Sequence, residues 1–203
     1  EWQAHIDELR QREAAGQDKR DGMTPTNVIN KLNTYLKPNT PVATDVGQHQ
    51  CWAAQYVKFQ QTRRFITSGG LGTMGYALPA AVGVKVAQPQ RQTIVICGDG
   101  SFQMAMNELS AIRYAGMDIK IIVFRNHVLG LVNQIQNTAP YHGSFGVALD
   151  GSPDFQVIAS AYDTPSMVLS EESQIEETLD RFLKAEGSCL LICEVHPDVN
   201  TTD

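Results

Sequence analysis

The sequence has no apolar run approaching the roughly 20 residues that a membrane-spanning helix needs. It also lacks the charged start followed by an apolar stretch that marks a signal peptide. The expectation is a cytoplasmic chain with no membrane partner. Position 1 is Glu1 rather than Met, which suits a processed chain or a piece of a longer one. Basic residues are few. Sixteen Lys and Arg stand against 22 Asp and Glu, for a net charge of −6, so nucleic acid is not an expected partner. Cysteine is sparse, and Cys51, Cys97, Cys189 and Cys193 form no C-x-x-C pair. Zinc-ligand spacing is therefore absent. Three of the four lie in apolar, strand-like runs and read as small core residues in a reducing compartment. There is no internal repeat and no low-complexity segment. What is present is 42% hydrophobic residues in 203, enough for one core of ordinary size with an appendage.

Residues 1–22 are charge-rich, with a weak apolar stripe at Trp2, Ile6 and Leu9. They read as a solvated helical arm or linker from a preceding domain, and 23–203 as the domain itself. Thr24-Pro25 is a helix start, an N-cap followed by proline in the first turn. Val28, Ile29, Leu32 and Leu36 follow at helical spacing. The chain then alternates. β-rich runs occur at 42–44, 64–67, 93–97, 119–124, 166–169 and 189–195. Helical patterns separate them at about 49–58, 73–87, 102–115, 129–136, 154–162 and 171–185. Several strands are apolar throughout, as happens when both sheet faces are covered. This predicts an α/β fold, a doubly wound, mostly parallel six-stranded sheet with helices on both faces. Residues 137–153 form one long irregular stretch, of the kind used as a lid or an interface.

In such sheets the ligand lies off the carboxyl ends of the strands. Four consecutive strand ends are glycine-rich or polar: Asp45-Val46-Gly47-Gln48-His49, Ser68 to Gly75, Gly98-Asp99-Gly100-Ser101 and Arg125 to Gly130. Asp99 lies between two glycines. Asn126 comes 27 residues later, one helix and one strand on. That interval returns the chain to the same sheet edge. If the two strands are neighbours, a carboxylate and an amide oxygen converge on one point, a donor set suited to Mg²⁺ bridging to phosphate. The blander alternative is that both residues merely cap the helices that follow. Gly70-x-Gly72-x-x-Gly75 also matches the dinucleotide fingerprint, with Asp99 as a candidate ribose-binding acid. An NAD-type dehydrogenase is therefore a competing reading. Against it, the fingerprint does not follow the first strand, and a ribose acid does not need glycine on both sides.

The runs from Asp45 to Ala54 and from Ser68 to Ala81 resemble the corresponding segments of acetolactate (acetohydroxyacid) synthase catalytic subunits. Gly98-Asp99-Gly100-Ser101 followed by Asn126 resembles the thiamine-diphosphate signature of that superfamily. The likeness extends from about residue 23 to 195, and makes the dinucleotide match a coincidence. It implies that Asp99, Asn126 and the Val128 carbonyl hold Mg²⁺. It implies that Val46, Gly47, Gln48, His49, Gly98, Gly100, Ser101, Gly130, Leu131 and Val132 surround the diphosphate and thiazolium. Gly72 and Met74 would contact the aminopyrimidine, with Met74 as the apolar wedge under a bent cofactor. The implied activity is decarboxylation of pyruvate and its joining to a second 2-oxo acid. The activating glutamate would come from the pyrimidine-binding domain of a partner subunit in a homo-oligomer, a dimer or a tetramer. No catalytic acid or base is assigned within this chain. A flavin site, if any, would lie in a middle domain outside it.

Three positions depart from the family pattern. Arg125-Asn126 stands where Asn-Asn is usual, with the metal-binding second Asn kept. Ile135 stands where the biosynthetic synthases carry a Trp that shapes the second-substrate pocket, and Leu131 where Met is usual. Pyruvate oxidase and other 2-oxo acid decarboxylases therefore remain alternatives, as does a non-catalytic regulatory domain. Without the aromatic wall, a methylene difference is worth only about 1–3 kcal/mol even in a good apolar pocket. The full-length enzyme is expected to show little preference for 2-oxobutyrate over pyruvate as acceptor. A competition assay that returned a strong 2-oxobutyrate preference would contradict this reading of Ile135.

Overall fold

The computed structural model describes residues 2–15, 23–138, 140 and 142–201. A first helix, α1 (Trp2–Ala15), leaves Trp2 and Leu9 exposed, as expected of a solvated arm. The rest of that predicted arm, 16–22, lies outside the described residues. Helix α2 (Pro25–Leu32) starts where Thr24 Oγ1 accepts the Asn27 N–H at 3.2 Å. Its Val28, Ile29 and Leu32 are fully buried.

The alternation then runs β1 (Val42–Thr44), α3 (Gln48–Tyr56), β2 (Phe65–Thr67), α4 (Ala77–Ala87) and β3 (Ile94–Gly98). It continues through α5 (Asp99–Ala105), α6 (Glu108–Tyr114), β4 (Lys120–Arg125), α7 (Gly130–Gln136) and α8 (Phe155–Ala161). It closes with β5 (Ser166–Leu169), α9 (Ile175–Lys184) and β6 (Cys189–Glu194). Two helices differ from the sequence expectation. The run at 73–87 becomes helical only at Ala77, because Gly72 and Gly75 adopt φ of +62° and +85°, which no right-handed helix contains. The run at 102–115 begins earlier, at Asp99, and is two helices. At Met106-Asn107 the bonding tightens to i→i+3, with Leu109 N–H to the Met106 carbonyl and Ser110 N–H to the Asn107 carbonyl.

All six strands are parallel, in the order β2-β1-β3-β4-β6-β5. From β1 the chain moves outward to β2, then crosses back to place β3 on the other side of β1. That reversal is the topological switch point of the sheet, where loops after β1 and β3 diverge and leave a crevice.

Strand alternation sorts the core into two layers. Ile94, Ile96, Ile122, Phe124, Cys189, Leu191 and Cys193 face α2, α3 and α9. Val95, Cys97, Ile121, Val123, Leu190 and Ile192 face α4, α5, α6 and α8. The irregular segment is partly zipped down. Leu129 N–H meets the Val147 carbonyl at 2.8 Å and Leu149 N–H the His127 carbonyl at 2.9 Å. Val128 and Ala148 thereby form an antiparallel bridge.

The second layer is centred on Phe102, fully buried and edge-on to Phe155 with ring centroids 5.2 Å apart. Phe102→Ala is expected to cost about 3–5 kcal/mol in urea unfolding. Tyr114→Ala, at a ring 96% exposed, should change stability by less than about 0.5 kcal/mol.

Candidate functional site

A cleft of about 160 Å³ opens at the carboxyl edge of the sheet, at the switch point. Four turns wall it. The turn after β1 supplies Val46 to His49, and the turn after β2 supplies Gly72 and Met74. The end of β3 and the start of α5 supply Gly98 to Ser101. The turn after β4 and the start of α7 supply Asn126 and Val128 to Val132. Every residue to which the resemblance assigns a cofactor or metal role lines this one cleft, whereas Gly70 and Gly75 of the dinucleotide fingerprint do not. Nor does Ile135. It sits on α7 with 61% of its surface exposed, outside the cleft in this chain.

β3 and β4 pair directly, so Asp99 and Asn126 end adjacent strands. Asp99 is 2% exposed. Its Oδ1 accepts the Gly100 N–H at 2.9 Å and its Oδ2 the His127 N–H at 2.7 Å. Burial pushes the carboxyl above its usual range, and these N–H groups act the other way. Each oxygen keeps a lone pair for a cation. Asn126 is not a helix cap; the α7 N-cap is Leu129. The Asn126 Oδ1 accepts the Val128 N–H at 3.2 Å, and its amide N–H reaches Gln48 Oε1 at 3.4 Å. Nor does Asp99 cap α5 from outside, since it is the first helical residue, preceded by Gly98.

His49 is the second buried polar group. Its Nε2 is buried with no hydrogen-bond partner. Desolvation drives its pKa down to about 3, against a backbone hydrogen bond to Asp45 that raises it. The ring is neutral at physiological pH. It fits because Gly47 and Gly98 carry no side chains: a Cβ on either would come within 3 Å of the imidazole. Gly130 allows a similar approach, since a Cβ there would lie 1.9 Å from Gln48 Oε1. Gln48 in turn donates to Gln134 Oε1 and to the Val199 carbonyl, both at 3.0 Å.

Two residues that position the cleft were not singled out from sequence. Asp45 is 1% exposed, and its carboxylate accepts the N–H groups of Val46, Gly75 and Ala77 at 2.9, 2.8 and 3.0 Å. It caps α4 from a distance, and α4 has no side-chain cap of its own. That missing local cap was the available signal. The contact also weighs against the dinucleotide reading: the last glycine of G-x-G-x-x-G, Gly75, and the first residue of the helix after it, Ala77, already give their amides to Asp45. Gln134 had no such signal, because its partners Gln48 and Thr201 lie 86 and 67 residues away.

Comparison with known proteins agrees with this geometry. Residues 45–193 match the family model described as thiamine pyrophosphate enzyme, C-terminal TPP binding domain. The chain belongs to this family. It is 37% identical over 192 residues to the acetolactate synthase isozyme 2 large subunit of Escherichia coli (strain K12), covering 94% of this chain and 35% of that one. It is 39% identical over 155 residues to the acetolactate synthase large subunit of Lactococcus lactis, covering 76% and 27%. It is 41% identical over 180 residues to acetolactate synthase from Arthrospira platensis, covering 88% and 31%. The chain thus spans about a third of the length of these relatives.

The depressed His49 pKa has a consequence for stability. In the unfolded chain this histidine takes a proton below about pH 6.5; in the folded chain it does so only near 3. The stabilisation is complete above pH 6.5 and is lost as pH falls from there toward 3. Urea unfolding from pH 7 to 4.5 should show wild type losing stability faster than His49→Gln, by up to about 1.4 kcal/mol per pH unit. Equal slopes for the two proteins would refute the buried neutral ring.

Proposed function

We propose that this chain is the cofactor-anchoring domain of an acetolactate-synthase-like enzyme acting on 2-oxo acids. The observation that carries the reading is the gathering of Asp99, Asn126 and Val128, with the unpartnered His49 Nε2, in one cleft at the switch point. In a member of the thiamine pyrophosphate family, such a cleft suits the diphosphate end of that cofactor. No Lys or Arg lines it among the described residues. A bound diphosphate would therefore need its charge offset by a divalent cation, and an all-oxygen set from Asp99, Asn126 and the Val128 carbonyl suits Mg²⁺.

When bound, thiamine diphosphate supplies a carbon nucleophile and an electron sink for decarboxylation. The residues of this chain bind and orient. His49 offers a single hydrogen bond without adding charge. Gly72 and Met74 present backbone and an apolar side chain to the aminopyrimidine end. Trp52, 3% exposed and edge-on to Phe124, closes the floor. Asp99 is the one carboxylate lining the cleft among the described residues, and on this reading it would be committed to the metal. Among the described residues that line the cleft, no side chain is placed to move a proton. The activating carboxylate then comes from a pyrimidine-binding domain of a partner subunit, which makes the working enzyme a homo-oligomer. A flavin, if bound, belongs to another domain of the full-length protein.

Ile135 favours a second reading. With no aromatic ring at that position, a pyruvate oxidase or simple decarboxylase is the alternative. Product analysis of the full-length protein separates the two, acetolactate against acetate or acetaldehyde.

The cofactor assignment is tested by thermal unfolding. Thiamine diphosphate with Mg²⁺, at about 100 times its Kd, should add about 2.7 kcal/mol, or roughly 5–10 °C for a domain of this size. NAD should add nothing, and Asp99→Asn should lose most of the thiamine diphosphate shift. The chain alone should not consume pyruvate. Shifts independent of both Mg²⁺ and Asp99 would sink the assignment.

A further inference from the structure

The opposite edge of the sheet carries a second polar pocket, about 220 Å³, enclosed by the turns that lead into β1, β3 and β4. Lys37, Lys85, Arg91 and Lys120 line it, against one carboxylate, Asp118. The whole chain has a net charge of −6, so this concentration of cations runs against its composition. Two of the ammonium groups are on buried residues, Lys85 at 6% and Lys120 at 4% exposure. Lys120 is fully used. It donates to Asp118 Oδ1 and the Ala185 carbonyl, both at 2.7 Å, and to the Gly187 carbonyl.

Lys85 is not fully used. Its ammonium reaches the Pro89 carbonyl at 2.6 Å and the Arg91 carbonyl at 3.0 Å, which leaves one N–H. No carboxylate pairs with it among the described residues. Desolvation lowers its pKa, the nearby Lys120 charge lowers it further, and Asp118 acts in the opposite direction. Lys37 and Arg91 form no ion pair among the described residues either. Gln92 Oε1 accepts the Lys37 backbone N–H and the Thr40 hydroxyl, which leaves the Gln92 amide N–H groups as donors. Holding turn carbonyls accounts for Lys120. It does not account for Lys37, Arg91 and the spare donors beside them.

We propose that this amino-edge pocket binds a small phosphate-type oxyanion, either free phosphate or the phosphate group of a small metabolite. Lys85 supplies the buried charge, Arg91 and Lys37 the outer clamp, and Gln92 neutral donors. Arg91 is suited to this because its planar fork matches a tetrahedral oxyanion in a bidentate grip. The site lies at the far edge of the sheet from the cofactor cleft and is independent of it.

The test is calorimetric titration of the protein with sodium phosphate and, separately, with glycerol 3-phosphate. Wild type is compared with Arg91→Gln and Lys37→Gln. Lys58→Gln is the control, an exposed lysine that does not line the pocket. Lys37 and Lys58 are exposed and Arg91 is half-buried, so all three changes should leave the fold intact. The expected result is a saturable site weakened roughly three- to tenfold in each pocket variant. It should be unchanged in the control. Saturation by glycerol 3-phosphate as well identifies a phosphomonoester site; saturation by phosphate alone identifies a free-anion site. The proposal is overturned by no saturable binding of either compound, by binding indifferent to both pocket variants, or by an equal loss in Lys58→Gln.

Discussion

The cleft depends on the Asp45 carboxylate, buried at the end of β1. Its two oxygens take three backbone N–H bonds, from Val46, Gly75 and Ala77. Hydrogen bonds to a charged group are worth about 1.5–3 kcal/mol each, and more is at stake when the donors are buried. Two of these donors lie 30 and 32 residues downstream. One side chain thus ties the switch-point strand to the turn after β2 and to the start of α4. Gly72 and Met74 are carried on that turn. Without Asp45, Gly75 would have no reason to present its amide inward, and the wall facing the aminopyrimidine end would be unanchored.

Within the cleft, burial acts on two groups in ways that favour one kind of occupant. His49 loses its charge, because one backbone hydrogen bond to Asp45 does not make up for the water it gives up. Asp99 is pushed toward its neutral form by the same cause, yet two backbone N–H groups hold it in place. A neutral imidazole cannot offset a diphosphate. A desolvated carboxylate beside an amide oxygen gains greatly from a divalent cation. On the proposed reading, the polarity of the cleft would be ordered: first a metal against Asp99 and Asn126, then an anion held by that metal, with His49 making a short-range contact only.

How much of this was legible in the sequence follows from how local each cause is. Continuous apolar runs such as Ile94 to Cys97 and Ile121 to Phe124 marked the buried parallel strands, because burial on both faces leaves no room for polar alternation. The glycine-bounded Asp99 and the Asn126 one crossover later were legible because strand–helix–strand length fixes where the chain returns. The start of α4 was misjudged by four residues: apolar periodicity extends back through Thr73, but positive φ at Gly72 and Gly75 overrides it. The break at Met106-Asn107 carries no Gly or Pro to announce it. The roles of Asp45 and Gln134 rest on partners far along the chain, which neither propensity nor spacing encodes. Ile135 was placed by likeness alone. Its exposure on α7 leaves any substrate contact to be completed by surfaces beyond this chain.

The two edges of the sheet divide charge in an unexpected way. At the carboxyl edge, where the proposed function would place a diphosphate, the lining has one carboxylate and no Lys or Arg among the described residues. At the amino edge four cations gather around one carboxylate. A cleft lined with lysines would bind diphosphate without a metal, and would also bind any other phosphate of similar size. On the proposed reading, leaving cations out would make binding conditional on Asp99 and Asn126 first taking Mg²⁺, so that recognition would depend on a metal-bridged anion rather than on negative charge alone. The amino edge has no such safeguard. Its cations are directly accessible from the pocket or bonded to turn carbonyls, Lys37 exposed and Lys85 and Lys120 buried, so it would accept an oxyanion without a metal and discriminate less finely among phosphates. Helix direction reinforces the contrast. In a parallel sheet the helices end at the amino edge, and buried ammonium groups such as Lys85 and Lys120 satisfy carbonyls of the turns just beyond α4 and α9. The cations are there first for the fold. Their surplus over what the carbonyls and Asp118 can absorb is what makes the pocket a receptor.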